Sequence, residues 1–124
     1  MSDKKKILYV QTSGPNAPER QYAPLILAQT ARAMDLDATI FYLGMGLKVL
    51  VKGEADKIKV GAFPTVKELL EQAAGQGVKI VACQQSMMLF GGELKGEDLI
   101  PEASIGGAAN LNDLALDADT VLTF

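Results

Sequence analysis

The chain has no histidine, no tryptophan and a single cysteine, Cys83. Without histidine there can be no Ser-His-Asp triad, no Cys-His pair and no His-liganded metal. One cysteine cannot close an internal disulfide, and it leaves a structural zinc site without a ligand set. Any catalysis falls to Cys83, carboxylates, Lys, Arg, Tyr or backbone groups. Long apolar runs are also missing: none approaches the roughly 20 residues a membrane helix needs. Behind Met1-Ser2-Asp3-Lys4-Lys5-Lys6 stands only the short run Ile7 to Val10, not the apolar core of a signal peptide, so a cytoplasmic location is expected. A reducing compartment also suits a free thiol. Basic excess is absent, with 12 Lys and Arg against 15 Asp and Glu and a net charge of −3. That balance argues against nucleic acid as the main partner. Lys4-Lys5-Lys6 is the one basic cluster and reads as a solvated lead-in to the first strand.

What is present fits one domain over residues 1–124, with 48% apolar and 22% charged residues. That is enough to bury a core without staples. The pattern alternates strand and helix with no low-complexity linker. Ile7-Leu8-Tyr9-Val10 reads as a strand buried on both faces. Turn formers from Gln11 to Pro18 end it. A helix is expected from Tyr22 to Asp35, with Leu27, Ala31 and Met34 on one face. Ala38 to Leu43 is the second strand. Leu47 to Lys52 is ambiguous between helix and strand, and Gly53 to Phe63 reads as irregular, with a short extended piece at Ile58 to Val60. A helix starts at Thr65, where Thr65 and Glu68 fit a capping box and Val66, Leu69, Leu70 and Ala73 form a stripe. Gly75 and Gly77 suit its exit. Val78 to Ala82 is a third strand that runs into Cys83, and a short helix is expected from Ser86 to Phe90. Ala103 to Ile105 is a short strand, Leu111, Leu114 and Ala115 suggest a helix, and Thr120 to Phe124 is the last strand. The expected fold is therefore α/β: a three-layer sandwich with a mostly parallel sheet of about five strands flanked by helices.

In such sheets ligands and reactive groups gather beyond the carboxyl ends of the strands. Four loops should meet there: Thr12 to Gln21, Gly44 to Gly46, Cys83 to Ser86, and Gly106-Gly107. Cys83 is either an active thiol or an inert core residue. In the first case the N–H groups of Gln85 and Ser86 would face its sulfur, and Arg20 or Lys48 would supply a cation. Ser13 and Gly14, helped by Arg20, are candidates for holding an anion through backbone N–H groups. Gly44-Met45-Gly46 resembles the start of a dinucleotide fingerprint, but Val49 stands where the third glycine belongs, and a tight turn is the better reading. Gly107 could let backbone approach a ligand. No residue set requires a cofactor or a metal.

The segment Val81-Ala82-Cys83-Gln84-Gln85-Ser86-Met87-Met88-Leu89-Phe90-Gly91 resembles the strand-to-helix segment of the DsrE/DsrF-like sulfur-relay family, which includes the TusD-type carriers. Ile7 to Gly14 with the Ala23 to Met34 helix, and Ile105-Gly106-Gly107-Ala108-Ala109 through Ala118-Asp119-Thr120-Val121, extend the likeness over nearly the whole chain. The resemblance implies that Cys83 accepts sulfur from a persulfide or thiosulfonate-type donor and passes it to a partner thiol. It implies rhodanese-like or TusA-like partners and a homo-oligomer, a trimer or a hexamer. Some members carry a second cysteine. This chain does not, so a two-cysteine mechanism is closed to it. The other reading is a small-molecule or nucleotide-binding module, oligomeric, with Cys83 not catalytic. A one-cysteine peroxidase ranks below both, because its resolution needs an outside thiol.

Overall fold

The apolar run at Ile7 to Val10 is the centre of strand β1, Lys6–Gln11, in the computed structural model, which describes residues 4–124. The leading residues Met1 to Asp3, part of the segment read as lacking a signal peptide, lie outside them. Strands β2 (Asp37–Tyr42), β3 (Lys79–Cys83), β4 (Ala103–Gly106) and β5 (Thr120–Thr123) join β1 in one five-stranded sheet of order β4-β3-β2-β1-β5. Every pairing is parallel. Helices α1 (Tyr22–Ala33), α2 (Val66–Gly75) and α3 (Ala108–Asp117) connect the strands. Short 3-10 helices fill much of the rest, at Pro18–Gln21, Gly44–Leu50, Ala55–Lys57, Gln85–Phe90 and Gly96–Asp98.

Strand side chains alternate between the two faces, and the two faces are covered unequally. Tyr9, Ile40, Tyr42, Ile80 and Ala82 belong to the larger core, together with Leu25, Ala28 and Ala31 of α1 and Leu70 and Ala73 of α2. Leu8, Val10, Phe41, Val81 and Cys83 belong to a smaller cluster, against which Leu111 and Leu114 of α3 and Ala118 pack. Helix α3 has no fully buried residue. At about 1.5–3 kcal/mol per large apolar side chain taken out of water, the side covered by α1 and α2 supplies most of the stabilisation. Cys83 lies on the thinner side.

Several local expectations shift. Helix α1 buries Tyr22, Leu25, Ala28 and Ala31, an i, i+3 stripe, while Leu27 and Met34 are exposed at 40% and 64%. The small alanines let α1 lie close to the sheet, and that closeness selects a face rotated from the one drawn through Leu27. The helix stops at Ala33, and Asp35 then takes a left-handed φ of 62°, a conformation that Asp tolerates better than most residues. The ambiguous stretch resolves as the 3-10 helix Gly44–Leu50, burying Leu47, Val49 and Leu50, after which Val51 makes an isolated antiparallel bridge to Leu99. Half of the capping box forms: the Glu68 N–H donates to Thr65 Oγ1 at 3.2 Å. In α3, Leu111 and Leu114 are half-buried, and Ala115 faces solvent. The last strand ends at Thr123, yet its ladder continues, since Phe124 N–H donates to Val10 O at 2.8 Å and Thr12 N–H to Phe124 O at 2.7 Å.

Candidate functional site

Cys83 is the final residue of β3 and pairs in register with Gly106 on β4. The chain follows the strand for one more hydrogen bond, Gln84 N–H to Gly106 O at 2.9 Å, and then coils into the 3-10 helix Gln85–Phe90. The buried hydroxyl of Ser86 accepts from the Gly44 N–H at 2.7 Å and ties this helix to the end of β2. The Cys83 side chain is only 3% exposed, and its sulfur lies 3.9 Å from Gln85 Oε1, a weak S–H donor contact. Among the described residues no backbone N–H bonds the sulfur, so the expected role for the N–H groups of Gln85 and Ser86 does not appear in this conformation.

A cleft of about 350 Å³ opens beside the thiol. Leu43, Leu89, Ala108 and Leu111 make its apolar walls, and Gln85, Ser86 and Asn112 are its polar members. Among the described residues Cys83 is the one titratable side chain that lines it. A second hollow of about 540 Å³ lies next to it, with Met87, Met88, Leu94 and Ile105 on its surface and Lys95 as its charged residue. Gln85 lines both. The cleft suits a soft, weakly charged group, since an ion taken into apolar surroundings needs a paired charge or several donors.

The expected loops do converge at this sheet edge, but they do different work. Gln21 Nε2 donates to the carbonyls of Ser13 at 3.0 Å and Gly14 at 2.8 Å, and Gln11 Nε2 also donates to Ser13 O at 3.0 Å. The Ser13-Gly14 loop thus turns carbonyls toward two buried glutamines instead of forming a nest of N–H groups. A Cβ on Gly14 would lie 2.6 Å from Met45 O, and one on Gly46 would run into the carbonyl of Gln11. Both glycines serve the close approach of the β1 and β2 loops, so Gly44-Met45-Gly46 is a packing turn. Arg20 and Lys48 are exposed, and neither lines the cleft. No cation therefore stands beside Cys83 as those two were expected to. Gly107 belongs to the site in a different way: its Cα faces the Gln84 and Gln85 side chains, which would lie 3.7–3.9 Å from a Cβ placed there.

Sequence reasoning missed the wall that α3 supplies. Ala108, Leu111 and Asn112 are spaced i, i+3 and i+4 on α3, a spacing that puts them on one face and was open to view. Gln11 and Gln21 carried no local signal; their burial comes from the loop folding over them, and the Oε1 atom of each has no partner among the described residues.

The fold recurs in solved structures. The ychN protein from E. coli superposes with a TM-score of 0.78 at 28% identity, covering 97% of this chain and 99% of that one. Protein MTH1491 from Methanobacterium thermoautotrophicum has a TM-score of 0.67 at 16% identity, covering 98% and 100% of the two chains, a likeness of fold. In sequence, 81 residues are 35% identical to the uncharacterized protein MJ0760 of Methanocaldococcus jannaschii, covering 65% of this chain and 30% of that longer protein. The DsrE/DsrF-like family profile matches residues 5–124, and the chain belongs to that family.

Proposed function

We propose that this protein carries sulfur on Cys83 as one member of a relay. Family membership suggests a sulfur-relay role in general. The observation that carries the specific reading is the placement of the sole thiol at the carboxyl end of β3, beside an apolar cleft that can receive a soft sulfur group. In the loading step the Cys83 thiolate attacks the outer sulfur of a donor persulfide. A new S–S bond forms on Cys83, the donor's S–S bond breaks, and the donor leaves as its thiolate. With a thiosulfonate donor the leaving group is a sulfinate. Delivery is the same exchange in reverse sense, with an acceptor thiolate attacking the outer sulfur and Cys83 leaving. No net oxidation occurs, and no cofactor or metal is needed. Among the described residues no general base lines the cleft, which fits a carrier subunit and not a fast stand-alone enzyme. Rhodanese-like or TusA-like proteins would be its donors and acceptors, in a reducing compartment such as the cytoplasm, with the chain assembled as a homo-oligomer, a trimer or hexamer.

The burial of the thiol, at 3% exposure, favours a second reading in which the loops bind a small molecule or nucleotide and Cys83 is a bystander. Incubation with a persulfide donor, followed by intact mass measurement, separates the two. The relay reading expects a gain of sulfur that dithiothreitol removes and that Cys83→Ser does not show. Wild-type protein that stays unmodified under conditions that load a known sulfur carrier would exclude it.

A further inference from the structure

We propose that Gln85 is a positioning residue for Cys83: its side chain covers the thiol, and by turning its amide over it replaces an acceptor for the thiol with a donor for the sulfur anion. The inference rests on reading Cys83 as the sulfur-carrying thiol, and it names a regulator of that site.

Three observations carry it. First, among the described residues Gln85 is the one side chain hydrogen-bonded to the sulfur, with Oε1 at 3.9 Å. In that orientation the amide carbonyl accepts from S–H. Second, among the described residues no charged group lines the cleft to hold an anion, and neither Ser86 nor Asn112, its other polar members, bonds the sulfur. Its remaining lining groups, Leu43, Leu89, Ala108 and Leu111, are apolar. An anionic sulfur in apolar surroundings must find a hydrogen-bond donor. The amide N–H of Gln85 is attached to the same carbon as the oxygen already in contact.

Third, the amide faces a residue without a side chain. A Cβ on Gly107 would stand 3.8 Å from Gln85 Nε2 and 3.9 Å from Oε1. With no Cβ on Gly107 that space stays open, and oxygen and NH₂ are of similar size, which leaves the amide room to turn about its last side-chain torsion. Gln85 is itself exposed, so water satisfies whichever end faces outward. The same side chain separates the Cys83 cleft from the neighbouring hollow lined by Met87, Met88 and Ile105, so a displaced Gln85 opens the thiol toward that surface.

The test is the rate of alkylation by iodoacetamide as a function of pH, on folded wild type, Gln85→Met and Gln85→Ala, with no sulfur donor present. Methionine keeps the bulk and removes the amide. It should raise the pH midpoint of alkylation by about one unit, which is about tenfold less reactive thiolate below the midpoint. Alanine removes the cover and should raise the limiting rate at high pH by about tenfold. An unchanged midpoint in Gln85→Met, or an unchanged limiting rate in Gln85→Ala, would overturn the proposal. Because these readouts need no sulfur transfer, a wild type that loads sulfur without either shift overturns this inference alone. Shifts seen in a protein that never loads sulfur support it and remove the relay reading instead.

Discussion

Gly46 matters through the side chain it lacks. Because a Cβ there would strike backbone, the carbonyl of Gln11 and not the tip of a flexible side chain, the two loops must part to admit it. Gly46→Ala should therefore lower stability by about 1–3 kcal/mol, as overpacking does, read from urea unfolding. Tyr42 sets a pH limit. Burial pushes its phenol up, and burial does the same to Tyr9 to a lesser degree. Below about pH 10 the phenol is protonated in both folded and unfolded chains and its contribution is complete. As pH rises past that value only the unfolded chain releases the proton, so stability falls until the raised folded value is reached. Urea midpoints measured from about pH 9 to about pH 11 should drop for wild type and drop less for Tyr42→Phe; equal slopes would contradict the assignment. Cys83 was legible as the candidate residue because it is the sole thiol and stands at the end of a buried strand. The Gln85 side chain was not, since position in the chain implies only a backbone N–H there, whereas the direction of the side chain depends on how the β3 and β4 ends, with Gly107, come together.

At the scale of elements, the tie between Ser86 and Gly44 joins the helix that follows Cys83 to the end of β2. Ser86→Ala leaves the Gly44 N–H without its acceptor, which should cost about 1–2 kcal/mol in urea unfolding and speed amide exchange at Gly44. A variant as stable as wild type would mean that water replaces the hydroxyl freely. Strands and long helices were readable because continuous apolar runs and the Thr65 cap mark them directly. Leu47 to Lys52 was not, because a short apolar stretch carries no distinguishing period, and here the buried Leu47, Val49 and Leu50 fix a 3-10 helix through tertiary contacts. The facing of α1 was misread for a related reason. Of the expected face only Ala31 is buried, because the helix turns Tyr22, Leu25 and Ala28 inward and leaves Leu27 exposed.

Across the whole molecule, the unequal covering of the sheet leaves apolar side chains in water. Leu116 is 86% exposed and Met88 76%, and Leu89, Ile105, Val121 and Leu122 add to them. Surface of this kind normally meets another protein. Light scattering is expected to give a mass above that of one chain, and a monomer at high protein concentration would contradict the proposed homo-oligomer. The central claim is that sulfur passes through Cys83, not merely that it can arrive there. The most direct measurement mixes sulfur-loaded protein, freed of donor, with an acceptor protein carrying one accessible thiol, and follows the intact mass of both. The account predicts that this chain loses the mass of one sulfur atom as the acceptor gains it, with no exchange when the acceptor thiol is blocked. Sulfur that remains on Cys83, or that leaves only as free sulfide, would contradict it.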